Sequence, residues 1–371
     1  MTSVPGLIPV AVPWLDGSEL EYIKRALAAG QVSGGAMLTQ FEQEFAQWLG
    51  VRFAVACSSG TTALHLACLA AGVKPGDEVI VPGLAFVAVS NAVRYCGATP
   101  VAVDVYAEDL TLDTEAVRMA ISPATRAVIA VHSYGAVCTL PVLQRLCSEY
   151  GLALIEDAAE AIGSRNRDGY VGSIGRCGVF SFYGNKTITT GEGGMLTTND
   201  AVIAHSARLL RGQGQTPGAP YQHGVVGYNY RMTELQAALG LSQLHRIADH
   251  LAERRRIRRL YVNGMKLFGL PELGVRLQMT RWGTDAVWWM TVVTTPRPAS
   301  DVRSLLAAVG IETRPVFLPA DKLPLQPTRL APGGLFRAQH AHEYGIVLPT
   351  WAKMGRKRIN YICEALRQAL V

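Results

Sequence analysis

Lys186 stands in the run Phe182-Tyr183-Gly184-Asn185-Lys186-Thr187-Ile188-Thr189-Thr190-Gly191-Glu192-Gly193-Gly194, among small and hydroxylated residues at the end of an apolar stretch. An amine is a usable nucleophile at neutral pH only when its surroundings depress its pKa, and small neighbours leave room for an aldehyde cofactor and a substrate. That setting suits a Schiff-base lysine, although one lysine by itself is no more than an ordinary loop residue. Three companions change its meaning. Ser58-Ser59-Gly60-Thr61-Thr62-Ala63-Leu64 reads as a strand-to-helix turn, where backbone N–H groups, hydroxyls and the helix dipole form an anion site. It reads equally as a plain N-cap, and the two are compatible. Asp157 ends the apolar run Leu152 to Glu156, where a carboxylate would project into the crevice at a sheet's carboxyl edge and could keep a pyridine nitrogen protonated; a turn or helix-cap aspartate is the alternative. Phe86 follows another strand end and could stack on a flat ring or simply fill a core.

These residues need a scaffold that brings strand ends together. From Phe53 to Thr198, short β-branched runs alternate with helical segments, the signature of βαβ units and a mixed, mostly parallel sheet. Strands are predicted at Phe53 to Ala56, Glu78 to Val81, Val101 to Val103, Ala127 to Val131, Ala153 to Glu156, Val179 to Phe182 and Met195 to Thr198. Helices are predicted at Thr61 to Ala71, Val87 to Tyr95, Thr114 to Ile121 and Leu140 to Tyr150, with Asp113 or Thr114 capping the third. One long charged helix from Thr233 to Leu267 follows, and strand character returns at Val287 to Val293 and Gly310 to Val316. The reading is a large α/β domain over residues 1–245 and a smaller C-terminal α+β domain over 246–371, linked by that helix and sharing a cleft.

Bulk properties indicate a compact, well-buried globular protein. The chain has 371 residues, more than one core usually serves, with 49% hydrophobic and 17% charged residues. The seven cysteines are scattered and never spaced as C-x-x-C, which disfavours a disulfide scaffold or zinc site and leads us to expect no bound metal. The proline-interrupted N-terminus is no signal peptide, and no run approaches membrane-spanning length, so a reducing cytoplasm is expected. The net charge of +6 peaks at Arg254, Arg255, Arg256, Arg258 and Arg259, read as a solvated helix face. No aromatic interleaving accompanies them, so phosphate-bearing small molecules are expected as partners rather than nucleic acid. A nicotinamide dehydrogenase is disfavoured, because no G-x-G-x-x-G follows a strand.

Taken together, the segments Ser59-Gly60-Thr61-Thr62-Ala63-Leu64-His65-Leu66, Pro75 to Pro82, Glu156-Asp157-Ala158-Ala159-Glu160-Ala161, Gly184 to Gly194 and Gly227-Tyr228-Asn229-Tyr230-Arg231-Met232 resemble the DegT/DnrJ/EryC1/StrS sugar aminotransferases over nearly the whole chain. The resemblance implies the pyridoxal-phosphate-dependent fold type I of aspartate aminotransferase, with pyridoxal 5′-phosphate bound covalently by Lys186. By the same resemblance Asp157 pairs with the pyridine nitrogen, Phe86 stacks on the ring, and Glu160 lies near the ring's oxygen substituent. Thr61, Ser181 and the Gly60 backbone hold the phosphate, Arg314 and Tyr183 face the substrate, and Asn229 reaches the partner's cofactor in a homodimer. The nearest branch uses L-glutamate to aminate C4 of GDP-4-keto-6-deoxy-D-mannose; UDP- and dTDP-linked keto sugars are the alternative substrates. Sugar 3-dehydratases of this fold carry histidine at the lysine position, so Lys186 favours amino transfer. The chain departs from the pattern at Ala85, Ser133, Ala286 and Leu318, the last two expected on substrate-facing loops.

Overall fold

Apolar runs buried on both faces and amphipathic helices on either side produce a central eight-stranded sheet in the computed structural model, which describes residues 6–216, 218–281, 283–324 and 328–371. In chain order its first strands are β1 (Phe53–Cys57), β2 (Glu78–Pro82), β3 (Thr99–Val103), β4 (Thr125–Val131) and β5 (Ala153–Asp157). A short hairpin, β6 (Arg165–Asn166) and β7 (Gly169–Tyr170), stands apart before β8 (Cys177–Ser181) and β9 (Gly194–Thr198). The C-terminal third supplies β10 (Arg276–Leu277), β11 (Thr291–Thr294), β12 (Arg314–Pro315), β13 (Arg329–Leu330) and β14 (Gly345–Leu348). The large sheet runs β1-β9-β8-β5-β4-β2-β3-β13, and β9 alone is antiparallel to its neighbours.

Side-chain alternation explains the burial. Ala127 and Ile129 of β4 join one core with Leu66, Val79, Ile155 and Leu196, while Val128 and Ala130 join the opposite core with Phe41, Phe45, Leu154 and Phe180. Every strand predicted between Phe53 and Thr198 is present with slightly shifted ends; β8, for example, closes at Ser181, one residue before the expected Phe182. The four predicted helices appear as Gly60–Ala70, Ala88–Tyr95, Thr114–Ala120 and Leu140–Tyr150, and Asp113 caps the third by accepting from the backbone N–H groups of Glu115 and Ala116.

Two expectations are corrected. The single helix over Thr233 to Leu267 is two helices, Glu234–His245 and Ile247–Leu267, separated at Arg246, whose guanidinium meets Asp16 at 2.6 Å and Glu19 at 3.5 Å. The first helix buries Ala237, Leu241 and Leu244 in the large domain, whereas the second turns Ile257, Tyr261 and Met265 into the smaller core. Its first turns still bury Ile247 and Leu251 in the larger core, so the second helix bridges the two. The arginine cluster is likewise no uniformly solvated face. Arg254 is buried and donates to the carbonyls of Trp289 (3.0 Å) and Thr350 (2.8 Å), Arg258 lies over the Trp288 ring at 4.0 Å, and Arg255 and Arg256 pair with Asp285 and Glu253. Composition cannot reveal such partners, because they lie 30 or more residues away for three of the four.

The second sheet, β10-β11-β14-β12, is antiparallel and packs with Ile247–Leu267, Ala299–Ala308 and Arg356–Gln368 around Val293, Leu306, Ile346 and Ile362. The chain crosses the expected division at 245/246 in both directions. Ile8 packs in the smaller core and donates its N–H to Gly310 O at 2.8 Å, while β13 returns to pair with β3 in the large sheet.

Candidate active site

The carboxyl ends of β1, β5 and β8 converge at one edge of the large sheet, where open α/β sheets bind ligands. At the end of β1 the turn is built by a reciprocal cap: Ser59 Oγ accepts from Thr62 N–H at 3.1 Å and Thr62 Oγ1 accepts from Ser59 N–H at 3.0 Å. The N–H groups of Gly60 and Thr61, at the start of a helix and so without intrahelical partners, border the cavity beyond. Glycine is required here by close approach. A Cβ on Gly60 would lie 2.8 Å from Ser181 Cβ, and one on Gly194 would lie 2.3 Å from Ser59 O.

Asp157 is held at the end of β5, its Oδ1 accepting from Ala159 N–H at 3.0 Å. Burial pushes its pKa up, against the opposing pull of Lys186 and His132. Behind it, Glu156 accepts from the N–H groups of Gly172, Ile174 and Gly175 and lies 3.1 Å from His132 Nε2. His132 Nδ1 accepts from Cys138 N–H, which puts the ring proton on Nε2, facing Glu156. This fully buried pair stiffens the strand end that presents Asp157.

Lys186 lies in the connection between β8 and β9. The N–H groups of Phe182 and Thr190 donate to Gly193 O and Phe182 O, closing that connection on itself, and Lys186 N–H donates to Tyr183 O at 2.9 Å. Its Nζ is 3.7 Å from Glu160 Oε1 and 3.7 Å from the centroid of the Trp289 ring. Burial drives the Lys186 pKa down, with Glu160 and Asp157 opposing. Glu160 is pushed up by burial, with Lys186 opposing, and its Oε2 accepts from Tyr134 N–H at 2.8 Å.

One cavity of about 520 Å³ is lined by Gly60, Thr61, Phe86, Asp157, Glu160, Ser181, Tyr183, Lys186 and Arg314, all singled out in the sequence. Phe86 is 57% exposed, its ring open to that cavity and 6.0 Å from the ring of Phe317. Asn229 lies outside it, exposed on the segment that bridges back to Gly212. Ala286 and Leu318 do not line it either; Ala286 is buried against Ala136 and Trp288, which corrects its expected place on a substrate-facing loop. Sequence reading passed over the cavity's aromatic wall. Tyr134 stacks on Phe317 (4.9 Å, 16°) and lies parallel to Trp289 (6.1 Å, 10°), and its hydroxyl accepts from Phe317 N–H at 3.1 Å. Tyr134 takes a left-handed φ of 57°, a strained setting held by these contacts. In the sequence these residues are marked only by their neighbours, Ser133 as a departure from the family pattern and Arg314 as a residue expected to face the substrate.

Residues 13–367 match the DegT/DnrJ/EryC1/StrS aminotransferase family. The chain belongs to this family. It is 43% identical to GDP-perosamine synthase of Caulobacter vibrioides, with 98% of each chain covered, and 40% identical to GDP-perosamine synthase of Vibrio cholerae, covering 97% of this chain and 98% of that one. Its fold superposes on a putative sugar aminotransferase from Streptococcus pneumoniae in its PLP form with a TM-score of 0.90, at 25% identity over 98% of each chain. The protein is a pyridoxal-phosphate-dependent aminotransferase of fold type I.

The cavity fits that cofactor on its own terms. The capped turn with free N–H groups at its helix start suits a phosphate, the buried strand-end carboxylate suits a pyridine nitrogen, and the buried amine lines the same cavity 3.7 Å from Glu160. No described helix is long and apolar enough to cross a membrane.

Proposed function

We propose that this enzyme transfers the amino group of L-glutamate to the C4 keto group of GDP-4-keto-6-deoxy-D-mannose, giving GDP-perosamine. The observation that carries the reading is near full-length similarity to enzymes named GDP-perosamine synthase, in a chain whose cavity keeps Lys186 beside Asp157 and Glu160. Bound pyridoxal phosphate supplies an electron sink for the substrate carbon that loses its proton. The N–H groups of Gly60 and Thr61, with the hydroxyls of Thr61 and Ser181, hold the phosphate, and Phe86 covers one face of the ring. Asp157, ionised by a cationic ring nitrogen against the effect of its own burial, keeps that nitrogen protonated. Lys186 Nζ, disposed by burial toward its neutral form, removes the proton from the carbon that bears nitrogen and later returns one. Glu160 positions that amine, and Arg314 and Tyr183 meet the substrate at the open side. The enzyme acts as a homodimer in the cytoplasm: Asn229 projects from a segment whose Tyr221 and Val226 are 93% and 89% exposed, a surface suited to a second copy that would receive Asn229 at its own cofactor phosphate.

The test is mass spectrometry of products from purified enzyme, pyridoxal phosphate and L-glutamate with GDP-4-keto-6-deoxy-D-mannose, run beside UDP- and dTDP-linked 4-keto-6-deoxy sugars. One amino group gained by the GDP sugar alone is expected. Amination of a UDP or dTDP sugar instead would overturn the substrate while leaving the chemistry. Lys186→Ala is expected to lose turnover and the visible absorbance of the bound cofactor with its fold intact, and substantial turnover by that variant without added amine would sink the lysine's role.

A further inference from the structure

Trp289 is fixed from three sides. Its backbone N–H donates to Tyr134 O at 3.0 Å, its carbonyl accepts from Arg254 at 3.0 Å, and its indole Nε1–H donates to Asn185 O at 2.8 Å. The last bond ties the ring to the residue preceding Lys186 and leaves the ring face, not its polar edge, toward Nζ. Tyr134 lies parallel to the same ring, centroids 6.1 Å apart. Tyr134 also donates its N–H to Glu160, whose other oxygen meets Lys186, so Lys186, Trp289, Tyr134 and Glu160 form a closed circuit of contacts. An aliphatic side chain would fill this volume, but only an aromatic face distinguishes the charged amine from the neutral one, because its quadrupole attracts a cation.

We propose that Trp289 is a positioning residue for amino transfer: its indole face receives the Lys186 ammonium whenever the lysine is not joined to the cofactor, and holds Nζ beside Glu160. Burial favours the neutral amine, Glu160 and Asp157 favour the charged one, and the Trp289 face 3.7 Å from Nζ adds to their side, so the two protonation states are drawn closer in free energy. The charged and titratable groups around Nζ are Glu160 and Asp157 at the end of β5, Tyr183 and Glu192 in its own connection, and Arg314 from β12. His132 stands behind Asp157. The proposal rests on Lys186 being the cofactor's lysine and is independent of which sugar is aminated.

The experiment measures how fast acetic anhydride labels Lys186 across pH in the full-length chain loaded with pyridoxamine 5′-phosphate, which leaves the lysine free, with the labelled peptide followed by mass spectrometry. Trp289→Leu is expected to lower the labelling midpoint by about one pH unit, and Trp289→Phe, which keeps a weaker ring, by about half a unit. A midpoint unchanged or raised in the leucine variant overturns the proposal, since packing alone would not lower it. If that variant does not fold, an unchanged or raised midpoint in Trp289→Phe does the same. Loss of cofactor absorbance in Lys186→Ala tests the lysine's own role separately, so the two failures are distinguishable.

Discussion

Asp157 shows how a single carboxylate acquires a role from its surroundings. Its burial opposes ionisation, and the Ala159 N–H, Lys186 and His132 pull the other way. A cationic ring nitrogen would supply the missing counter-charge, so the side chain is adapted to a partner the chain itself lacks. Asp157→Asn keeps the shape but cannot hold that nitrogen protonated; turnover should fall on the order of 100-fold or more while cofactor remains bound. Steady-state kinetics alongside the cofactor spectrum check this, and a loss of only a few-fold would remove Asp157 from the chemistry. Residues of this type were legible because each ends a local pattern: Asp157 closes an apolar strand, Gly60 opens a helix, and Lys186 sits in a run of small residues. Trp289 and Tyr134 were not, because their meaning lies in contacts made across the fold. Trp289 meets Asn185 over 104 positions of sequence, and nothing near either residue announces it.

At the scale of elements, the strands of the large sheet could be read because both of their faces are buried, which writes them as continuous apolar runs. The break at Arg246 could not, since helical periodicity continues through it and the Arg246 ion pairs with Asp16 and Glu19 are made to residues distant in sequence. The helix that begins at Ile247 also carries a pH-sensitive group. His250 is buried against the Trp14 ring at 4.7 Å, its Nε2 has no hydrogen-bond partner among the described residues, and burial, with Arg246 and Arg254 adding, pushes its pKa from 6.5 down to about 4. A histidine depressed in the folded state binds fewer protons there than in the unfolded chain. Its stabilising contribution is therefore complete above pH 6.5 and is lost as pH falls toward about 4, a difference of up to about 3 kcal/mol. His250→Phe should flatten this part of the profile, with denaturant unfolding at pH 7.5 and about pH 4.5 as the measurement. Equal slopes in the two proteins would contradict it.

For the whole molecule, the reading of two domains divided at 245/246 left out the segments that cross that division. Parallel strands with helical crossovers leave a clear periodic record, whereas β13 comprises only two residues, Arg329 and Leu330, too short for any periodicity. That short strand has a consequence for attempts to divide the enzyme. Its pairing with β3 and the donation of Ala331 N–H to Ala102 O cover backbone groups that a fragment ending at residue 245 would leave bare. An uncovered strand at the margin of a sheet is a template for joining another molecule. Such a fragment should self-associate through β3, seen as light scattering that grows with concentration, and a charge at the exposed start of that strand, through Thr99→Lys, should suppress it. A monodisperse, folded fragment would show that the margin is protected by something else. The C-terminal region thus covers the margin of the large sheet, in addition to bringing Trp289, Arg314 and Phe317 to one side of the cavity.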